Sequence, residues 1–422
     1  MRYRSTRDSS LRMPFSEVLL GGLSQDGGLY MPCEIPSLKI KDINSLENLS
    51  YQELTVELLY PFVSEELSLE EFQTAVFSAY KNFGNKDIVK LIEINEKRWV
   101  LELFHGPTLA FKDVAMQLLG SLLEHFSRKG GQEIAVLGAT SGDTGSAAIA
   151  ACSRYKNVKV FILYPHQRVT EVQRLQMTTS QSKNVHALSV RTDFDGCQDI
   201  AKKLFLDKDI LSSRAKFISA NSINWTRCMA QSVYYFWTYL RLNNSLGDLI
   251  FSVPSGNFGH AYAGWFAKEM GLPIKKIIVA TNKNDVLHRL ISKNSYKKEG
   301  VTQTLAPSMD ISVASNFERL LFGLFKNNSH DLLEAIKSFP ENEISLPEQS
   351  FKEIQDFFTS LSSSDEEILN EIDLTFRKYN YILDPHTATG IKATRELVHS
   401  TDPVVSMATA HPAKFIDSIR KV

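Results

Sequence analysis

The sequence is short of most features that would mark out a function at once. It holds four cysteines in 422 residues, Cys33, Cys152, Cys197 and Cys228, and no two of them form a C-x-x-C pair. The usual zinc and dithiol-redox spacings are therefore missing, and no metal is expected. So few thiols in so long a chain suit a reducing cytosol, where they serve as small core hydrophobes, and a cytoplasmic location is the expectation. Excess charge is missing too: 47 basic against 48 acidic residues leave a formal net charge of −1. No basic field exists for nucleic acid or an anionic membrane. Small clusters such as Lys202-Lys203 read as solvated faces. No apolar run reads as a membrane span, and the arginine-bearing N-terminus lacks the apolar core of a signal peptide. Repeats and low-complexity tracts are absent.

What is present is ordinary globular composition, 43% hydrophobic and 23% charged, in a chain long enough for two or three domains. From about residue 95, short apolar runs alternate with helical patterns. Strands are expected at Val100–Leu103, Ile134–Leu137, Val158–Tyr164, Val185–Val190, Phe217–Ala220, Leu249–Val253 and Ile277–Ala280. Most are continuously apolar, as strands buried on both faces should be. Helices are expected at Val114–Phe126, Gly145–Arg154, Cys197–Leu206, Trp225–Leu242 and Ala261–Met270. This alternation predicts an α/β fold of parallel sheets with helices on both faces. Three regions follow: 1–95, turn-rich and then helical (Tyr51–Val63 and Leu69–Asn82); 96–225, an α/β unit; and 226–422, a second α/β unit with a helical insertion at about 325–379. Inside the insertion, Ser364-Asp365-Glu366-Glu367 has the form of a capping box.

Two turns follow strands directly: GATSGDTGSAA from Gly138, and PSGNFGHAYAG from Pro254. Glycines there let backbone approach a ligand, and the helix that follows offers free N–H groups to an anion. Neither turn has the lysine of a P-loop. After the first, the next strand ends in FILYPHQR, without the acid that a dinucleotide site needs about 20 residues on. A smaller anion, phosphate or carboxylate, remains, as does plain tight packing. The hydroxyls and carboxyl of Thr140, Ser141, Asp143 and Thr144, like Ser255 and Asn257 about Gly256, suit ligand oxygens or helix caps equally. A third stretch, FHGPTLAFKD, sets Lys112 between an aromatic ring and an acid where a turn hands over to a helix.

Together FHGPTLAFKDVAMQ, LGATSGDTGSAAI, NSINWTRCMAQSVYYFW, VPSGNFGHAYAG, TNKNDVLHR, PSMDI, LDPHTATG and ATAHPAKF resemble the threonine synthase family. YRSTRD and LSQDGGLYMP near the N-terminus resemble it as well, so the likeness runs in order from residue 3 to about 415. The resemblance implies the tryptophan-synthase-β-like architecture, fold type II of the pyridoxal-phosphate enzymes: two parallel-sheet, three-layer domains. It implies pyridoxal 5′-phosphate as cofactor, with Lys112 as the residue that forms the Schiff base. Ser255, Gly256, Asn257, Phe258 and Gly259 match the loop that holds the cofactor phosphate. Asp143 stands where related enzymes place an Asn beside the pyridine 3′-oxygen, and Thr409 matches the hydroxyl residue facing the pyridine nitrogen.

For the substrate, the resemblance assigns Thr140, Ser141 and Thr144 to the amino-acid carboxylate. It assigns Asn221, Ser222 and Arg227 to the phosphate of O-phospho-L-homoserine; for Arg227 the alternative is a salt bridge on a helix surface. His386 and Thr387 either line the site near the leaving phosphate or cap a turn. The implied reaction is γ-elimination of phosphate and β-addition of water, giving L-threonine. The alternative is a phospho-lyase that releases phosphate from a related phosphorylated amino acid without net hydration. In either case Lys112 must be neutral when it takes a proton. Burial beside Phe111 and a helix N-terminus favour that, and Asp113 opposes it unless it faces the helix's own N–H groups. The chain starts almost at YRSTRD, so no plant-type regulatory extension is expected. Partners are confined to a small-molecule substrate, with a monomer or homodimer as the assembly.

Overall fold

The computed structural model describes residues 1–422 except 193, 207–214, 221, 243–245, 338, 340 and 400. Among the described residues the chain forms three sheets. β1 (Tyr3–Ser5) and β2 (Tyr30–Pro32) pair antiparallel near the N-terminus. A six-stranded sheet contains β3 (Lys90–Asn95) and β4 (Arg98–Glu102). A four-stranded sheet is built from β5 (Glu133–Ala139), β6 (Val158–Pro165), β7 (Val185–Val190) and β8 (Ala215–Ser219), in the order β7-β6-β5-β8. The chain then returns to the large sheet with β9 (Leu249–Pro254), β10 (Ile274–Thr281), β11 (Phe358–Ser362) and β12 (Val404–Ala408). The order there is β11-β10-β9-β12-β4-β3.

Every pairing in the small sheet is parallel. The large sheet is parallel except at β3, which folds back antiparallel on β4. Burial explains the continuous apolar character of these strands. In the large sheet Ile250, Ile278, Ala280 and Val404 pack with Ala393 on one face. Their neighbours Phe251, Ile277, Val279 and Val405 join the main core with Ala263 and Phe266 on the other. Alternate side chains of a strand point to opposite faces, so two covered faces demand apolar residues at every position. The small sheet repeats the pattern: Leu137, Ala139 and Leu163 pack with Cys197 and Ala201, whereas Val136, Val160 and Ile162 join the main core.

The expected α/β body is thus present, with two adjustments. β4, grouped by the sequence with residues 96–225, lies in the large sheet beside β12, next to strands from beyond residue 249. The stretch 325–379 is not all helix: β11 lies inside it and pairs parallel with β10. The Ser364–Glu367 capping box does form. Ser364 Oγ accepts from the Glu367 N–H at 3.3 Å, and the Glu367 carboxylate accepts from the Ser364 N–H at 2.7 Å.

The N-terminal region holds helices at Tyr51–Val63 and Leu69–Tyr80, each opened by a capping box (Ser50/Glu53 and Ser68/Glu71). They pack against long buried helices at Lys112–Gly130 and Trp225–Leu242. Tyr3, fully buried, donates its hydroxyl to the Phe62 carbonyl at 2.7 Å.

Candidate active site

One pocket gathers residues that follow the C-terminal ends of β5, β9 and β12, where open α/β sheets bind ligands. Lys112 comes from the turn after β4. It is the first residue of the helix Lys112–Gly130, and its side chain is almost wholly buried. Its amine lies 3.3 Å from Asp143 Oδ2 and 3.4 Å from Ser308 Oγ, and 4.8 Å from the centre of the Phe111 ring. Burial pushes the amine below the ordinary lysine value; Asp143 pulls it back, and the Arg227 and Lys414 charges lower it again. Asp113 does not face the N–H groups of its own helix. It is buried and turned back to Thr108, accepting from that residue's N–H at 2.7 Å and hydroxyl at 2.8 Å. Burial raises the Asp113 carboxyl to about 6.

The turn after β5 depends on Gly142, whose φ of 132° is open to glycine, and where a Cβ would stand 2.3 Å from Gln173. Thr140 Oγ1 accepts from the N–H groups of Gly142 and Gly145, both at 2.9 Å, and so folds the turn itself. Ser141 and Thr144, half-buried, lie at the pocket wall. Asp143 begins the helix Asp143–Cys152 and is a four-way junction. Its Oδ1 accepts from Gln173 Nε2 and Lys414 Nζ, both at 2.9 Å; its Oδ2 meets Lys112 and Ser308 Oγ, the latter at 3.0 Å. Burial alone would raise this carboxyl, but Lys414 and Lys112 outweigh it and hold it well below the usual carboxylate range.

The turn after β9 runs through Ser255, Gly256, Asn257, Phe258 and Gly259, all on the wall. Ser255 Oγ is buried with no hydrogen-bond partner among the described residues. At Gly256 a Cβ would come within 3.0 Å of the Met309 Cα, so a side chain there would crowd the backbone of the facing turn. Phe258 takes φ 62° at the N-cap of the helix Gly259–Glu269 and is held there by packing on Phe317 and Phe358. Asn316 braces the turn from behind, donating Nδ2 to the carbonyls of Asn257 at 3.0 Å and Ser222 at 3.3 Å.

Arg227, in the first turn of the helix Trp225–Leu242, is 4% exposed, and its Nη1 donates to the Ala220 carbonyl at 3.3 Å. Its Nε has no partner among the described residues, and burial lowers the guanidinium to about 10. The surface salt bridge is thereby ruled out: Arg227 is a buried cation at the pocket wall, making no ion pair among the described residues. Ser222 lies beside it on the wall; Asn221 falls outside the described residues. Thr409 is buried on the wall after β12, its N–H donating to Thr387 Oγ1 at 3.2 Å.

His386 and Thr387 divide the two roles open to them. Asp384 caps the helix Pro385–Leu397, accepting from the N–H groups of both. Thr387 also bonds the Asp384 carboxylate through its hydroxyl and does not line the pocket. His386 does line it: its Nδ1 is 2.8 Å from Asp384 Oδ1, and its Nε2 accepts from the Ser308 N–H at 3.1 Å. The sequence singled out neither Ser308, His260, Gln173 nor Lys414. Gln173 had a signal, since Thr170 and Gln173 form a capping box. Lys414 stood in ATAHPAKF as one charge in a segment whose burial nothing nearby announces.

Comparison with known proteins agrees with this arrangement. The family model described as pyridoxal-phosphate dependent enzyme matches residues 84–344. The chain belongs to that class and has its tryptophan-synthase-β-like fold, with pyridoxal phosphate as cofactor. Models for the threonine synthase N terminus and C-terminal part match residues 2–80 and 387–422. A threonine synthase of Pseudomonas aeruginosa is 45% identical over 423 residues, covering 100% of this chain and 90% of that protein. One from Saccharomyces cerevisiae is 39% identical, covering 99% and 88%. The crystal structure of a PLP-bound threonine synthase from Brucella melitensis superposes with a TM-score of 0.96 at 42% identity, covering 100% of this chain and 91% of that one. Within its class, the chain belongs to the threonine synthase family.

Proposed function

We propose that the chain converts O-phospho-L-homoserine and water into L-threonine and inorganic phosphate at this pocket. The observation that carries the reading is a single pocket holding both a buried amine, Lys112, and a buried, unpaired guanidinium, Arg227. The residues fit the cofactor. Ser255 Oγ is an orphaned buried hydroxyl beside a glycine turn that opens a helix, which suits a phosphate. Ser255, Gly256, Asn257, Phe258 and Gly259 would hold that phosphate, Thr409 would face the pyridine nitrogen, and Lys112 would bind the aldehyde. When bound, the cofactor supplies the electron sink for carbanion chemistry.

The protein's own groups supply the rest. Lys112, whose amine burial pushes below the ordinary lysine value, takes and returns protons at the substrate carbons. Asp143 and Ser308 hold its amine in place within 3.4 Å. Arg227 and Ser222 bind the substrate phosphate; a guanidinium fork pairs with phosphate oxygens. Ser141 and Thr144 receive the substrate carboxylate, while Thr140 shapes their turn. His386, fixed by Asp384 and the Ser308 N–H, stands near the departing phosphate. The four cysteines are free thiols, in keeping with the cytosol, and we take the working form as a monomer or homodimer.

The test is purified protein with O-phospho-L-homoserine, with threonine and phosphate both quantified. Equal amounts of each are expected. Phosphate without threonine would replace this reading with the phospho-lyase. Lys112→Ala should lower turnover by at least about a hundredfold, the scale of a lost general acid–base, and abolish the cofactor's lysine-linked absorbance. Full activity in that variant would remove Lys112 from the reaction.

A further inference from the structure

Two lysines share one carboxylate in this site, and they are not held alike. Lys414 has a fully buried side chain and three acceptors: Asp143 Oδ1 at 2.9 Å, Gln176 Oε1 at 3.0 Å and the Thr108 carbonyl at 2.7 Å. An ammonium has three donors, so Lys414 is saturated as a cation. Lys112 has the longer pair of contacts, 3.3 Å to Asp143 Oδ2 and 3.4 Å to Ser308 Oγ. One carboxylate neutralises one of two neighbouring cations, and the better-bonded amine keeps its proton.

We infer that Lys414 is a positioning residue for catalysis: by pairing with Asp143 it takes up the negative charge that would otherwise keep Lys112 an ammonium ion. This rests on the reading of Lys112 as the reacting amine. Each charged or titratable group facing Lys112 fits the assignment. From the helix Trp225–Leu242 comes Arg227, and from the C-terminal turn Lys414; both lower the Lys112 amine. From the helix Gly259–Glu269 comes His260, kept neutral by burial. His386 is committed to Asp384 and the Ser308 N–H. Asp113 is spent on Thr108, and Asp310 on Thr304 and Asn282. Asp143 is therefore the acid left to hold a proton on Lys112, and Lys414 competes for it at the shorter distance.

The experiment is competitive acetylation of the full-length chain stripped of cofactor, with Lys112 labelling followed against pH by mass spectrometry. Surface lysines of the same chain are the internal reference. Wild-type Lys112 should reach its labelling midpoint below theirs. Lys414→Met should raise that midpoint by about one pH unit or more, the usual effect of an unshared opposite charge. Lys414→Arg should leave it near wild type, and Asp143→Asn should lower it. In the cofactor-loaded enzyme, the acidic limb of the pH–rate profile should move up in Lys414→Met. A purely structural Lys414 would lower the melting temperature with the Lys112 midpoint unmoved, and that result overturns the inference. If Lys414→Met does not fold, an unchanged midpoint in Asp143→Asn overturns it equally. A wild-type Lys112 that labels in step with the surface lysines would overturn the underlying reading of Lys112 instead.

Discussion

Arg227 shows how a binding group and a stable fold pull apart. Its guanidinium is buried against one carbonyl with Nε unbonded, an arrangement that disfavours the empty pocket. Arg227→Met should lower kcat/KM for the phosphorylated substrate about ten- to a hundredfold, the range of a lost charge-assisted contact. It should leave the melting temperature of the cofactor-free chain unchanged or higher. A lower melting temperature with unaltered kinetics would make Arg227 a structural residue. His260 gives a second handle. It stacks on Phe111 with centroids 4.9 Å apart, has no partner on either ring nitrogen among the described residues, and is lowered by burial to about 3. Unfolded, a histidine takes a proton below about 6.5. Between those values the unfolded chain binds more protons, so stability is present above 6.5 and is lost as the pH falls. Between pH 7 and pH 5 the cofactor-free wild type should lose about 2 kcal/mol more than His260→Phe. Urea midpoints at the two pH values check this; equal losses would contradict a neutral, buried His260.

The helix Pro385–Leu397 ties secondary structure to the site through its first residues. Asp384 caps it, while Pro385 occupies a first-turn position that needs no N–H. The same cap sets the His386 ring and the Thr387 hydroxyl, which accepts from the Thr409 N–H. Asp384→Ala should destabilise the protein by about 1–2 kcal/mol, as lost caps do. It should also reduce turnover, since His386 loses its Nδ1 partner. Denaturant unfolding and kcat measured on one preparation test both; an intact kcat would detach His386 from the reaction. The strand β11 shows why some elements escape pattern reading. It starts at Phe358, directly after the last residue of the helix Glu348–Phe357, with no glycine or proline between them. Its sequence, FTSLS, is polar because it lies at the sheet edge.

One carboxylate ties the first residues of the chain to the catalytic body. Glu318, on the helix Phe317–Leu324, accepts from Thr6 Oγ1 at 2.5 Å and from Arg7 Nε and Nη2 at 3.2 and 2.8 Å. The next residue, Arg319, is fully buried and bonds the carbonyls of Tyr30 and Ile223, so this helix joins the segment to the site. Glu318→Ala should destabilise by about 2 kcal/mol and open residues near Arg7 to protease. Unchanged proteolysis would show that the segment is held without Glu318.

Local information was enough for the α/β class, most strands of the body, the two glycine turns and the Ser364 cap. Each depends on residues close in sequence: a continuous apolar run, a backbone that admits glycine, a side chain that reaches three positions. The blocks that carry the family likeness also brought Lys112, Asp143, Ser255 and Thr409 to notice, and one pocket collects all four. Pattern did not reveal that β12, from residue 404, would lie between β9 and β4, or that β4 would leave its chain neighbours for the large sheet. Nor did it reveal that Arg227 would be buried, that Asp113 would turn to Thr108, or that Lys414 would cross more than 270 positions to reach Asp143. Strand order and buried charge depend on which distant surfaces exclude water together, and that is settled when the sheets and helices pack.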